Sequence, residues 1–415
     1  MAQRERLFFL VRYGEIGTKG ENRPAFERRL RRNIEGALKG LRIGEVRKEA
    51  GGILIEVPPE TPAERMQERL RHVFGIQFFA PVRLVPNEVE AMQRVAVEMM
   101  LRHREEEPYE SFRVTARRVH KQFPLTSQDL NRVVGAAIQQ ATGVRVDLEN
   151  PDAVCYLEVR WDGTLIYSRR FPGQGGLPVG ISERGVALLS AGIDSPVAAW
   201  RMMRRGMEVV FVHFHSYPQT NRASQENALE LAKVLTRYQL FSILYFVPLL
   251  EIQRHVVANA PPHSWVLLYR RAMLRLADRI AEMEGAPVLI TGESVGQVAS
   301  QTPSNLRAVS EAASRPILRP LISFDKAEIV AQAKEIGTYD ISIQPYEDCC
   351  SLFVPRHPLT RAEPETLRRL EAELQWEPLL EKALGERERY VIEFQGTKGN
   401  MEEGIAVERV QPWGG

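Results

Sequence analysis

The chain has 415 residues, of which 44% are hydrophobic and 26% charged, with 55 Lys/Arg against 53 Asp/Glu and a net charge of +2. This composition excludes a disordered or fibrous chain, and the length exceeds one ordinary core, so two or three domains are expected. No run of about 18 apolar residues occurs, which excludes a membrane-spanning helix. The N-terminal apolar stretch is too short for a signal peptide, so a cytoplasmic protein is expected.

In chain order, residues 7–12 and 52–57 read as strands flanking a helix at 24–38. The proline-rich "VPPETPAE" (57–64) breaks the pattern, and a helix follows near 62–73. "IQFFAPVRLV", a helix near 87–102, the strand "SFRVTARR", a helix at 126–141 and two strands within 153–169 then complete an α+β region. "FPGQGGLPVG" (171–180) has four glycines and two prolines and reads as a linker.

Beyond it, "GVALLS", "MEVVFVHF", "FSILYFV" and "APVLIT" are short apolar runs. They alternate with helical patterns at 195–205, 222–238, 249–258, 264–284 and 325–336. This rhythm predicts an α/β fold, a parallel sheet covered on both faces, with ligands beyond the carboxyl ends of its strands. The expected divisions are 1–62, 63–170, a linker at 171–183, a catalytic domain at 184–390, and a weakly specified tail at 391–415.

The near-neutral total hides a gradient. Residues 1–50 hold thirteen Lys/Arg against seven Asp/Glu, and "FRVTARRVHKQF" (112–123) is a second basic stretch. Concentrated positive charge is the footprint of a polyanion. Three cysteines, Cys155, Cys349 and Cys350, cannot build a disulfide framework or a four-ligand zinc site, and fit a reducing compartment. Cys155 lies in the strand "DAVCYLEVRW" and is expected to be inert packing.

The stretch "LLSAGIDSPVAAW" (188–200) is the most informative. An apolar strand ends in a turn of small residues and opens a helix, a ready anion site with unpaired amides and a favourable dipole. Ser190 and Ser195 add hydroxyls, Gly192 removes bulk, and Pro196 suits a first helical turn. No lysine follows as in a Walker A loop, and G-x-G-x-x-G is absent. Asp194 beside a polyphosphate calls for a bridging cation, expected to be Mg²⁺; its bland alternative is a helix N-cap.

The loop resembles the S-G-G-x-D-S loop of ATP pyrophosphatases, with Ala191 where that pattern has Gly. With "RYGEIGTKGENRPAFERRL" (12–30), "ITGESVGQVASQTPSNL" (290–306) and "YEDCCSLFVPRHPLT" (346–360), the chain resembles tRNA 4-thiouridine synthases over nearly all its length.

The resemblance implies an N-terminal ferredoxin-like domain, a THUMP domain and a Rossmann-like pyrophosphatase domain. It implies ATP as co-substrate, with nucleotide contacts at Leu188, Leu189, His213, Phe214, Arg270, Gly292 and Gln301. It places the persulfide-bearing thiol at Cys350, with Cys349 as neighbour. A cysteine desulfurase is the implied sulfur donor, and a homodimer is left open. Phosphate contacts are expected from Lys19, Arg28, Arg32, Arg113, Arg117, Arg118 and Lys121, which set position on tRNA rather than read sequence.

The chain ends before a rhodanese domain of the kind some members carry. Turnover is therefore expected to use direct sulfur handover and an external reductant, and the family's role in thiamine thiazole formation is less expected. The alternatives are another ATP pyrophosphatase, such as a 2-thiouridine synthase or an amide-forming synthetase, and a non-catalytic RNA-binding protein.

Overall fold

The computed structural model describes residues 6–347, 349, 352–353 and 359–410, and the chain divides into two compact units, 1–176 and 177–415.

The first unit begins with β1 (Arg6–Tyr13), α1 (Arg23–Ala37), β2 (Val46–Glu49), β3 (Gly52–Val57), α2 (Ala63–Leu70) and β4 (Ile76–Val85). The apolar positions of α1 (Leu30, Ile34 and Ala37) recur three or four residues apart and are buried. β1 is central and antiparallel to both β3 and β4, giving the strand order β2-β3-β1-β4 of a ferredoxin-like βαββαβ module. This corrects the expected boundary at 62: α2 and β4 complete this module and do not open the next one.

α3 (Val89–Glu106), β5 (Ser111–Arg118), α4 (Ser127–Thr142), β6 (Arg145–Val146), β7 (Ala153–Arg160), β8 (Gly163–Tyr167) and β9 (Phe171–Pro172) follow. Thr126 and Asp129 form a capping box that starts α4, and Gly143 ends it with a left-handed residue. β4 pairs with β8, so both modules share one sheet, β2-β3-β1-β4-β8-β7-β5-β6, with β9 also on β4. Cys155 is fully buried on β7, and burial pushes its thiol up to about 12, as inert packing requires.

The expected linker does not form a free tether. Gly173 and Gly175 donate to Gln77 and Ile76 in the first unit, while Leu177 and Gly180 donate to Arg204 and Gly206 in the second.

The second unit runs β10 (Arg184–Leu188), α5 (Asp194–Arg204), β11 (Glu208–His215), α6 (Ala223–Gln239), β12 (Phe241–Pro248), α7 (Leu250–Asn259), α8 (Trp265–Met283), β13 (Val288–Ile290), α9 (Pro303–Ser310), β14 (Ile317–Leu318), α10 (Lys326–Ile336), α11 (Tyr339–Ser342), α12 (Pro364–Leu374), α13 (Glu377–Gly385), β15 (Glu388–Phe394) and β16 (Ile405–Val410). β14-β13-β10-β11-β12 are parallel. One face packs on α7, α8, α12 and α13 through Val186, Val212, Phe214, Tyr245, Leu268 and Leu276; α5 and α6 pack on β11 with α10 beside α5, as a parallel sheet requires.

The chain first adds strands outward from β10 to β12 and then turns back to β13 on the opposite side. The strand order therefore reverses between β10 and β13, the topological switch point where such sheets bind ligands.

The expected tail is corrected here. β15 and β16 form an antiparallel hairpin on β12, with Ile392 and Phe394 buried. The expected domain end at 390 falls inside β15.

Candidate functional site

The small-residue turn sits at the switch point. Ser195 Oγ donates to the Ser190 carbonyl at 3.2 Å and accepts the Ser190 amide at 2.8 Å, while the Gly192 amide donates to Ser190 Oγ at 3.3 Å. The two hydroxyls lie 2.9 Å apart. The serines thus fold the loop on itself and occupy two of its amides. The amides of Ala191 and Ile193 have no acceptor among the described residues.

Neither Ala191 nor Gly192 has positive φ. Ala191 is buried, with its methyl inward, so a Cβ at that position fits this loop geometry.

Asp194 opens α5 but does not cap it: Ile193 holds the N-cap position and makes no side-chain cap bond. The Asp194 carboxylate instead accepts from Lys326 Nζ at 2.6 Å and from Gln297 Nε2 at 2.8 Å. Lys326 begins α10, whose own capping box uses Asp325 and Glu328. These partners lie 132 and 103 residues from Asp194, a separation that leaves no sequence motif. A cavity of about 430 Å³ adjoins them, lined by residues 294–297 and 322–326.

Gly292 follows β13, and a Cβ there would stand 2.8 Å from the Ser195 amide nitrogen. The close approach expected of Gly292 is therefore made to the start of α5. The next residue, Glu293, is buried between two guanidiniums. It pairs with Arg270 and accepts from Arg319 Nε at 2.5 Å and from Thr291 Oγ1 at 2.9 Å. Arg270 also donates to the Ser300 carbonyl at 3.0 Å. Arg270 is thus held at the strand end by the Glu293 carboxylate. Gln301 ends a short 3₁₀ turn, with its buried Oε1 lacking a partner among the described residues.

β11 alternates its faces. Phe214 is 6% exposed and its ring belongs to the core. His213 is buried on the other face, where its Nδ1 lies 2.9 Å from the Leu189 carbonyl. A carbonyl can only accept, so Nδ1 carries the proton. Burial pushes His213 down to about 4, outweighing that hydrogen bond. His215 is likewise pushed to about 4 by burial. The Leu189 amide donates to Val212, so both backbone groups of Leu189 are occupied within the sheet, while Leu188 is half-buried at the strand end.

Cys349 is buried in the core, and its carbonyl accepts from Gln253 Nε2 at 2.7 Å. Ser216 in turn donates to Gln253 Oε1 at 2.5 Å. Cys350 lies outside the described residues. Among the described residues no metal-type cluster of three ligands occurs.

The basic candidates lie in the first unit and divide by pairing. Lys19 pairs with Glu15 at 3.0 Å, Arg113 donates to the Leu148 carbonyl, and Arg118 donates to Phe123. Arg28, Arg32, Arg117 and Lys121 are exposed and have no side-chain ion pair or hydrogen bond among the described residues. Arg117 lines a cavity of about 320 Å³ with Arg12, Tyr156 and Arg170, and the Arg170 guanidinium lies 3.5 Å from the Tyr156 ring centroid.

A serine-closed loop at the switch point of a parallel sheet, in a chain that also carries a ferredoxin-like module, defines an α/β nucleotide-binding protein of the pyrophosphatase-loop class. Family models agree in detail. The ferredoxin-like domain of the thiamine biosynthesis protein ThiI matches residues 8–80, the THUMP domain 86–169, and the ThiI family itself 180–376.

The chain is 47% identical over 392 residues to a probable tRNA sulfurtransferase of Thermus thermophilus, covering 94% of this chain and 95% of that one. It is 45% identical to that of Moorella thermoacetica over 85% and 89% of the two chains. A crystal structure of a 4-thiouridine synthetase–RNA complex with bound ATP is similar with a TM-score of 0.87 and 38% identity, covering 94% of this chain and all of that one. The chain belongs to the tRNA sulfurtransferase family.

Proposed function

We propose that the protein is an enzyme that transfers sulfur to a uridine of tRNA with the use of ATP, forming 4-thiouridine. The observation that carries this reading is the loop 190–195, closed by its own serines at the switch point, with Lys326 on its Asp194 carboxylate. A cation and the α5 N-terminus meet where phosphates of ATP would lie, and Arg270, held by Glu293 one residue beyond Gly292, would supply a second cation. The ATP-bound 4-thiouridine synthetase of the same fold supports the nucleotide assignment.

The uracil O4 attacks the α-phosphorus and pyrophosphate leaves. Arg270 and Lys326 offset the charge that develops, and the closed loop orients the phosphates. AMP is then a good leaving group where oxygen was a poor one. A persulfide on Cys350, handed over by a cysteine desulfurase, attacks C4 through its terminal sulfur and AMP departs. An external thiol then attacks the Cys350 sulfur, releasing the thiolated base and leaving a mixed disulfide on Cys350, which a second thiol reduces. Burial of Cys349 supports an external thiol in place of this neighbour.

Mg²⁺ fits one carboxylate and phosphate oxygens, its usual set, with Asp194 as the protein ligand once Lys326 turns from it to phosphate. The ion would neutralise charge between carboxylate and phosphates. The first unit would grip tRNA phosphates through Arg28, Arg32, Arg117 and Lys121, and the Arg117–Tyr156–Arg170 cavity would receive its 3′ end.

Purified protein, a tRNA transcript, Mg-ATP and a sulfide source should yield thiolated uridine by nucleoside mass analysis. Cys350→Ser should abolish thiolation and leave adenylation, read as tRNA-dependent pyrophosphate release, intact. Thiolation at a normal rate by that variant would remove Cys350 from the mechanism.

A further inference from the structure

Trp161 is 67% exposed, the most exposed aromatic among the described residues. It stands in a two-residue turn between β7 and β8, where Arg160 pairs with Gly163. A Cβ at Gly163 would stand 2.6 Å from the Val85 carbonyl oxygen, so the turn is held against β4. Its flanks are also tied down: Asn87 donates to the Arg160 carbonyl at 2.7 Å, Arg160 pairs with Glu49, and Arg47 pairs with Asp162 at 2.9 Å.

The segment after β5 runs alongside, with the amides of Val119 and His120 both donating to the Val159 carbonyl. This brings the His120 ring against Trp161, with centroids 3.8 Å apart and planes 32° apart. A large indole is therefore displayed on a fixed support, with one face backed by an imidazole, while contributing little burial to the fold.

We propose that Trp161, backed by His120, is a stacking platform for an unpaired nucleobase of the bound RNA; this rests on the tRNA-binding reading of the first unit. The surroundings favour nucleic acid over protein. Arg117, Arg118 and Lys121 lie within a few residues of His120, and exposed Arg117 and Lys121 are open to phosphate. The exposed apolar residues Val146 and Leu148 lie by the opposite end of β5, roughly 20 Å away at the rise of a strand, so no continuous apolar patch surrounds Trp161. Cations at the rim with an aromatic at the centre match a nucleotide, whose phosphate and base require different partners. Pre-ordering of the indole removes most of the entropy cost of engaging a base.

The experiment is equilibrium binding of tRNA to the full-length protein across a salt series. Trp161→Ala should weaken binding about ten-fold at every salt concentration with an unchanged salt slope, because stacking releases no counterion. Trp161→Phe should keep most of the affinity and show less tryptophan fluorescence quenching on adding tRNA than the natural protein, whose Trp161 is expected to be quenched by the stacked base. Lys121→Ala should weaken binding and reduce the slope by about one.

If Trp161→Ala binds like the natural protein while Lys121→Ala weakens, the platform is overturned and the RNA reading stands. A reduced slope with Trp161→Ala, or a change in its sedimentation without RNA, also overturns the platform. A flat salt response in all proteins removes the RNA reading as well.

Discussion

Gly292 shows how tightly the nucleotide site is built. Because its backbone lies against Ser195, a methyl group there must push β13 away from the loop. Gly292→Ala is expected to cost about 1–3 kcal/mol by overpacking. It should also raise KM for ATP, since the displaced loop carries Ser190 and Asp194. Calorimetry and AMP-release kinetics check both effects, and an unchanged KM would show that the loop tolerates the shift. Legibility at this scale followed distance along the chain. Ser190, Gly192, Asp194 and Ser195 lie within one turn and were read from small size, hydroxyls and a carboxylate. Lys326 and Arg319 reach the site from distant segments with nothing in their neighbours to mark them, and Gln297, though inside the distinctive segment 290–306, carries no local sign of its bond to Asp194. The face taken by Phe214 is not legible for a related reason: a strand-end aromatic can face either side, and only tertiary packing, which puts this ring in the core, decides which.

Among the elements, long periodic segments were readable and short charged ones were not. α1, α3, α8 and the central strands carry apolar positions at helical or strand spacing, and each was expected. β2 ("VRKE") and β6 ("RV") are held by neighbours, not by their own apolar content. The hairpin of β15 and β16 reads as a tail in sequence because charges alternate with apolar residues and the connection between them is rich in glycine and polar residues. It covers the edge of β12, and Tyr390 meets Phe246 edge-on with centroids 5.3 Å apart. Removing residues 388–410 exposes that edge and forfeits burial of Ile392 and Phe394, about 3–6 kcal/mol. That is a large share of ordinary domain stability. The truncated protein should show a lower denaturant midpoint and a lower soluble yield; an unchanged midpoint would mean the hairpin only decorates the fold.

For the molecule as a whole, buried histidines should make stability fall in acid, as His213 and His215 show. His213 and His215 are buried and neutral in the second unit, both pushed to about 4, whereas an unfolded histidine titrates near 6.5. Between those values the unfolded state binds more protons, so stability is full above about 6.5 and falls as pH drops toward 4. The denaturant midpoint of the second unit should fall across this window, and less steeply in His215→Asn; an equal slope in that variant would place the sensitivity elsewhere. The division between units was legible as a glycine- and proline-rich stretch. The ferredoxin-like boundary was not, because a helix that follows a proline break looks like a new beginning when it is the second half of a βαββαβ repeat.

The β4–β8 seam has a consequence for how this chain avoids self-association. Two separate sheets would present four open borders to solvent, whereas the fused sheet presents two. Those are β2, four residues long and bearing Arg47 and Lys48, and β6, only two residues long. Short, charged borders are poor templates for intermolecular strand addition. Joining the two modules thus hides the ends of the apolar strands "IQFFAPVRLV" and "GTLIY" against one another, so the first unit's sheet offers no long apolar border to a neighbouring strand.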